Sequence, residues 1–429
     1  MKALSFAGRL QLIKSILGSI HVYWSSHFLL PKRIINRVEQ LIRDFLWKGH
    51  HQGRGVAKVA WKEVVKPHEE GGLGIKSLNE WNKAAIAKLL WKILDPNSIS
   101  IWTKWVDANL LKGKPFWEIP VPSDCTWAWR KILSLRSLFW PNIKSLVGNG
   151  SKVFLWYDYW LPMGPIHRLI GDAQLTEIGA QRNARVSQIL RHGQWRWPWA
   201  SSAELRAIKQ TLRNLPVPIG DMTDDIFWLP ESSGRFTIRS AWESIRARGL
   251  QVEWHQLVWH MGRIPKASFC LWLAVRARLY TQDRMTIRDP DARCFLCNSH
   301  GEDHDHLFFR CEWSKWIWSG LQAKCGFQSL DINWRYLVSR FSQEWKMKNF
   351  KTICWKLCLA STVFNIWKER NSRLHNGTAN NANIVRDKIE DMVRMKLASF
   401  KGVKDTQENR ELALVWNLPT KIFSSAISD

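Results

Sequence analysis

Four side chains able to bind a metal crowd into 18 residues of this chain: Cys294, Cys297, His306 and Cys311, spaced C-x2-C-x8-H-x4-C. No other feature restricts the fold as much. Zinc takes four sulfur or nitrogen ligands at tetrahedral corners, and a tight C-x-x-C turn delivers two of them from one loop. Four protein ligands leave no position for water or substrate, so such a centre staples a fold and does no chemistry. The choice of histidine is open to rivals, since His300 and His304 stand close by. His306 is preferred because Leu307, Phe308 and Phe309 follow it and can pack to fix its ring. The run Glu302-Asp303-His304-Asp305 reads instead as an exposed loop.

The other cysteines, Cys125, Cys270, Cys325, Cys354 and Cys358, are scattered in mostly apolar company and read as core thiols. Cys354 and Cys358 are four apart on a predicted helix, with no partner nearby in sequence. Disulfides would need a secretory route, and Lys2, Arg9 and Lys14 interrupt any apolar leader. No window is long and uncharged enough to cross a bilayer. An intracellular protein of the nucleus or cytoplasm, without a membrane partner, is expected. The mitochondrion is the alternative, because residues 1–24 are Ser-rich with three cations and the first acidic residue is Glu39.

Charge narrows the class of partner. Lys and Arg number 63 against 37 Asp and Glu, a formal balance of +26. That excess calls for a polyanion, RNA or DNA, bound with low sequence specificity; no small-molecule substrate is indicated. Residues 1–60 alone carry ten cations and two acids. Tryptophan occurs 29 times. Its flat ring can stack on unpaired bases, but most copies must fill cores.

Periodicity predicts a helix over 4–20, with Arg9 near the centre of its apolar arc, where it must snorkel, pair or meet a phosphate. A second helix is predicted from Pro31, with an apolar face from Ile34 to Leu46. Gly71-Gly72-Leu73-Gly74 makes a turn, and a helix runs from Asn79 to Leu94. Val153–Trp160 reads as a short strand, with Asp158 as a turn partner. A hairpin is predicted from Ile226–Leu229 and Arg235–Ile238. Helices are expected at Ser240–Arg248, Lys266–Leu279, from Ser314, and across 350–396.

Taken in order, these segments resemble the C-terminal part of plant LINE-type (non-LTR) retrotransposon reverse transcriptases. Leu4-Ser-Phe-Ala-Gly-Arg-Leu-Gln-Leu-Ile-Lys-Ser-Ile-Leu17, Pro31 and Phe45-Leu-Trp-Lys-Gly49 are similar to the thumb region of those enzymes. Gly148-Asn-Gly150 with Trp156-Tyr-Asp-Tyr-Trp160 resembles their linker. Gly234-Arg-Phe-Thr-Ile-Arg-Ser-Ala-Trp242, Pro265-Lys266, Trp272 and the Cys/His set resemble their zinc-binding domain. The polymerase signature is not found. Asp224-Asp225 is the one adjacent aspartate pair, it lacks the Tyr/Phe-x-Asp-Asp context, and it stands well after the thumb-like region. No RNase H constellation is recognised before Asp429.

The resemblance implies a mainly α, multi-domain chain with small β elements. It divides into a thumb-like helical region (1–112), a Trp-rich linker domain with short strands (113–225), a small zinc-stapled helical domain (226–330), a helical tail (331–400) and a C-terminal tail (401–429). The expected function is non-catalytic: a zinc-stabilised nucleic-acid-binding remnant of a reverse transcriptase. The alternatives are a protein-interaction module and a trans-acting thumb/zinc part of a split enzyme. Structural zinc would sit on Cys294, Cys297, His306 and Cys311. Three thiolates and the acids Glu302, Asp303 and Asp305 should make that loop repel phosphate. The cationic grip is therefore expected on Arg9, Lys14, Lys32, Arg33 and Arg37, and on Lys266, Arg276, Arg278 and Arg284.

Overall fold

The apolar spacing of the first segment does produce a helix, Phe6–Leu12, but the next five residues, Ile13–Leu17, widen into a π turn. Ser5 caps the start by accepting from the Gly8 amide at 3.2 Å. Arg9 resolves its awkward position internally: its guanidinium donates to the Leu46 carbonyl at 3.2 Å and lies 5.2 Å from the Phe6 ring. The second predicted helix is Lys32–Lys48. Ile35, Ile42 and Leu46 are buried along it, whereas Ile34 and Leu41 are exposed.

The computed structural model describes residues 4–18, 22–49, 56–218, 222–285, 293–326, 333–346 and 349–423. Ile20 and Arg288 lie outside the described residues. Helices dominate, with two short antiparallel strand pairs among the described residues. The chain forms two compact units: Met1–Gly18 with Gln40–Lys76 and Gly249–Asp429, and Ser19–Glu39 with Ser77–Arg248.

The second of these units is organised around the helix Leu78–Leu94. Ala84 and Ala87 keep its surface low, which suits close packing against the helix Ile238–Ile245 through Ala241 and Trp242. Asn82 is fully buried, yet every polar atom has a use. Its amide donates to the Ser25 and Phe28 carbonyls at 2.8 Å, and its oxygen accepts from the Leu30 amide at 2.7 Å. A separate core gathers Trp156, Trp160 and Trp197 with Leu205, Ile208 and Leu212. The indole N–H of Trp156 donates to the Gln181 carbonyl and that of Trp160 to the Leu155 carbonyl, both at 2.9 Å.

Two strand expectations need correction. Val153–Trp160 is a series of turns, with one isolated bridge between Phe154 and Arg185. Asp158 closes the turn by accepting from the Phe154 amide at 2.8 Å, and burial pushes its carboxyl up to about 6. The predicted hairpin is not formed either. Asp225–Trp228 pairs with the distant segment Ile143–Leu146, in the register Ile143 to Trp228. Gly234 turns the chain at φ +70, and any side chain there would collide with the Phe227 ring. Thr237 and Ser240 then form a capping box, so the residues meant for a second strand start the helix Ile238–Ile245 instead.

The aspartate pair also finds its role here. Asp224 is buried, and its carboxylate accepts from the Gly148 and Gly150 amides at 2.8 Å and from the Lys152 amide at 2.7 Å. It clasps a loop and is committed to three backbone donors.

The other unit packs the helices Pro265–Val275, Glu312–Cys325, Phe350–Asn376 and Ala382–Leu397. The last two replace the single helical stretch expected over 350–396. Gly377 ends the first in the left-handed region, and Asn381 caps the second. The Gly71–Gly74 turn is held from inside. Trp272 donates to the Gly71 carbonyl at 2.8 Å, Arg276 donates to it at 3.1 Å, and Arg276 pairs with Glu63 at 2.9 Å.

Replacing Asp224 with Ala strands three backbone donors and should destabilise this chain by on the order of 3 kcal/mol. Asp224→Asn, which keeps one acceptor oxygen, should fall between. A urea titration followed by tryptophan fluorescence measures it, and equal stability of all three forms contradicts the clasp.

Candidate metal centre

The Cys294–Cys297 turn is shaped by backbone hydrogen bonds. The Cys294 amide donates to the His300 carbonyl at 2.7 Å and the Asn298 amide to the Cys294 carbonyl at 2.8 Å. Asn298 takes the left-handed conformation this requires, with φ +56. A bridge between Arg293 and Gly301 closes the loop at its base. His306 opens a π turn, His306–Arg310, and its amide is held by Asp303 at 2.7 Å. Leu307, Phe308 and Phe309 are buried beside it. Cys311 stands at the N-cap of the helix Glu312–Cys325, and its amide donates to the His306 carbonyl at 2.6 Å.

These three local devices bring one ligand atom each from Cys294, Cys297, His306 and Cys311 within 4.8 Å of one another. Cys297 Sγ and His306 Nε2 are 3.2 Å apart. Tetrahedral zinc with ordinary bond lengths separates its ligands by about 3.5–3.8 Å, so the donor set and its spacing fit that ion. As free side chains the groups share protons. Hydrogen bonding to Cys294, together with Cys297, raises the His306 imidazole to about 9. The Cys294 thiol is pushed up to about 12 by its bond with Cys311 and by burial, while Cys311 is lowered chiefly by the same bond.

The Glu302–Asp305 run is not an exposed loop. Glu302 and His304 point inward and Asp303 outward. His304 packs edge-on against Phe308 and Trp334, and burial lowers its imidazole to about 4. Glu302 forms a buried pair with Arg370, whose guanidinium donates at 2.8 and 3.0 Å to one carboxylate oxygen. The two side chains are 0% and 2% exposed. Arg373, one turn on, donates to the Phe295 and Leu296 carbonyls at 3.1 and 2.9 Å. The helix Phe350–Asn376 thus grips the cysteine loop with two arginines. Sequence reasoning missed both; the available signal was a cationic run on a helix otherwise apolar enough to be core.

A second thiol group also comes together. Cys325, at the end of its helix, meets Cys354 and Cys358, with Sγ atoms of Cys325 and Cys358 3.4 Å apart. All three are buried in an apolar cluster with Leu357, Val385 and Ile389. Spacing showed the i,i+4 pair but not the third member, which arrives through helix packing.

The residues expected to grip nucleic acid divide into two kinds. Lys32, Arg33 and Arg37 are exposed on the first turns of their helix, and Lys266, Arg278 and Arg284 are exposed in the cysteine-bearing unit. Arg284 nevertheless donates to the Ala277 carbonyl and lies 3.5 Å from Asp283. Arg9 and Arg276 are engaged internally, as described above. Lys14 meets His68 at 3.2 Å, and desolvation, with nearby Arg263, lowers its ammonium to about 8.

Residues 236–318 match the family described as zinc-binding in reverse transcriptase. The chain is 29% identical over 337 residues to a putative ribonuclease H protein of Arabidopsis thaliana, covering 74% of this chain and 52% of that relative. It is 26% identical over 155 residues to an uncharacterized mitochondrial protein of the same plant, covering 35% of this chain and 99% of the relative. The chain therefore spans about half the length of the first relative. These matches support the resemblance to the C-terminal part of plant reverse transcriptases. Among the described residues, no helix is long and apolar enough to cross a membrane.

Truncating Glu302 to Ala leaves Arg370 charged and buried, at a cost of roughly 3–5 kcal/mol. Hydrogen exchange over 294–311 should quicken correspondingly. A change below about 1 kcal/mol would show that the pair does not brace the loop.

Proposed function

We propose that this chain is a zinc-stapled, non-catalytic nucleic-acid-binding segment of reverse-transcriptase ancestry. One observation carries the reading: the Cys294, Cys297, His306 and Cys311 ligand atoms converge inside a segment that matches the reverse-transcriptase zinc-binding family. Zinc, when bound, supplies a cross-link between the cysteine turn, the π turn and the following helix. The residues hold it and perform no reaction. The formal charge of +26 supplies the attraction to phosphate, and the exposure of Lys32 and Arg33 in one unit and of Lys266 and Arg278 in the other supports this reading. The commitment of Asp224 to backbone amides supports a binding rather than a two-metal catalytic role for this region. We place the activity inside the cell, in the nucleus or cytoplasm, with the mitochondrion as alternative.

Purified protein should carry about one zinc per chain, measured by elemental analysis, and Cys297→Ser should lose it together with local order at 294–311. Wild-type protein free of zinc after expression in zinc-supplemented medium refutes the staple. Binding of an unstructured RNA, followed by anisotropy, should weaken steeply between 50 and 200 mM salt, by about 0.7 logarithmic units per decade of salt for each phosphate contacted. A salt-independent affinity rules out the electrostatic grip.

A further inference from the structure

We propose that a cleft in the cysteine-bearing unit receives one unpaired nucleotide of a single strand, its base on Trp367 and Phe364 and its phosphate among Lys58, Lys266 and Lys368. This deepens the function proposed above and rests on it. The cleft has a volume of about 500 Å³, within the range of small-ligand sites. Phe364, Trp367 and Asn371 are spaced three and four apart on the helix Phe350–Asn376, so they share one face and all three line the cleft. Both rings are only half-buried, which leaves π surface open to a partner.

The charge on the walls has one sign. Among the described residues that line the cleft there are three lysines and no Asp or Glu. Lys266 stands in the first turn of the helix Pro265–Val275, its ammonium 5.4 Å from the Phe364 ring. The Lys58 ammonium lies 5.3 Å from the Tyr280 ring, and burial lowers its pKa below the ordinary lysine value. A partly desolvated ammonium resting beside a ring gains from an added anion. An acidic peptide would satisfy the lysines but offers nothing flat for the rings. A nucleotide offers both in one molecule, and Asn371 can hydrogen-bond a base edge without demanding a particular base.

The test uses the full chain and labelled 15-mers: single-stranded oligo(U) and oligo(dT), and a duplex of the same length. Trp367→Ala should weaken single-strand binding about tenfold while duplex binding stays within twofold. Trp367 also lies 5.2 Å from the Arg370 guanidinium, so circular dichroism and zinc content are measured on the variant. The exposed pair Lys266→Gln with Lys368→Gln provides an independent arm and should flatten the single-strand salt slope by roughly 1.4. If the chain binds nucleic acid but neither variant changes the single-strand to duplex ratio, the cleft is refuted and the general function stands. If polyglutamate displaces oligo(U) as well as unlabelled oligo(U) does, and Trp367→Ala leaves both unchanged, the cleft is an acidic-peptide site instead. If the wild type binds no strand of any kind, both readings fall.

Discussion

Ordering a loop costs conformational entropy, and residues 293–311 meet that cost with ties beyond the burial of their own Leu296, Leu307, Phe308 and Phe309. Two kinds of tie are available. One is the four-ligand cluster, whose atoms converge because a turn, a π turn and a helix N-cap happen to end at the same place. The other is the long helix behind it, which reaches in with Arg370 and Arg373. The ion pair is worth having only because it is complete. Glu302 also accepts from the Gln282 amide at 3.1 Å, so its carboxylate is compensated by both a guanidinium and a backbone donor.

The same arrangement changes the electrostatics of the unit. Counting charges along the sequence makes the cysteine loop acidic and hostile to phosphate. In the folded chain Glu302 is neutralised by Arg370, and Asp303 and Asp305 spend acceptor capacity on the His306 and Trp334 amides. A few arginines are recruited inward, where a planar fork can satisfy several carbonyls at once: Arg136 donates to the carbonyls of Phe116, Trp117 and Ile119, and Arg370 is buried with Glu302. Several lysines, Lys32, Lys266 and Lys368 among them, remain outside. Formal charge therefore overstates the guanidinium surface offered to a polyanion.

Much of the helical framework was legible because 3.6-residue periodicity is local: Lys32–Lys48, Leu78–Leu94 and Glu312–Cys325 begin near the predicted points, and Leu78–Leu94 also ends where expected. The four metal-capable residues were legible because their spacing is short. What failed was long-range. Nothing near Ile226 announces that its strand partner is Ser145, and the capping box at Thr237 outcompetes a hairpin that alternation favours. Burial of Glu302 and His304 was hidden for the same reason, since the groups that cover them, Arg370 and Trp334, come from later helices. Cys325 joining Cys354 and Cys358 is a third instance.

The clasp at Asp224 has a topological consequence. It binds amides at 148, 150 and 152, and the Asn149 amide donates to the Met222 carbonyl at 2.7 Å, so the intervening chain leaves and returns at a single point. That excursion owns its tryptophan-lined core, drawn almost wholly from residues 153 to 215. Beyond the neck it touches its host through the Arg182–Glu118 pair, the Arg168 guanidinium over the Trp140 ring and the Ser145 amide, which donates to the Tyr159 carbonyl. Changes of length within such an excursion are tolerated where they spare the neck and those few points of touch.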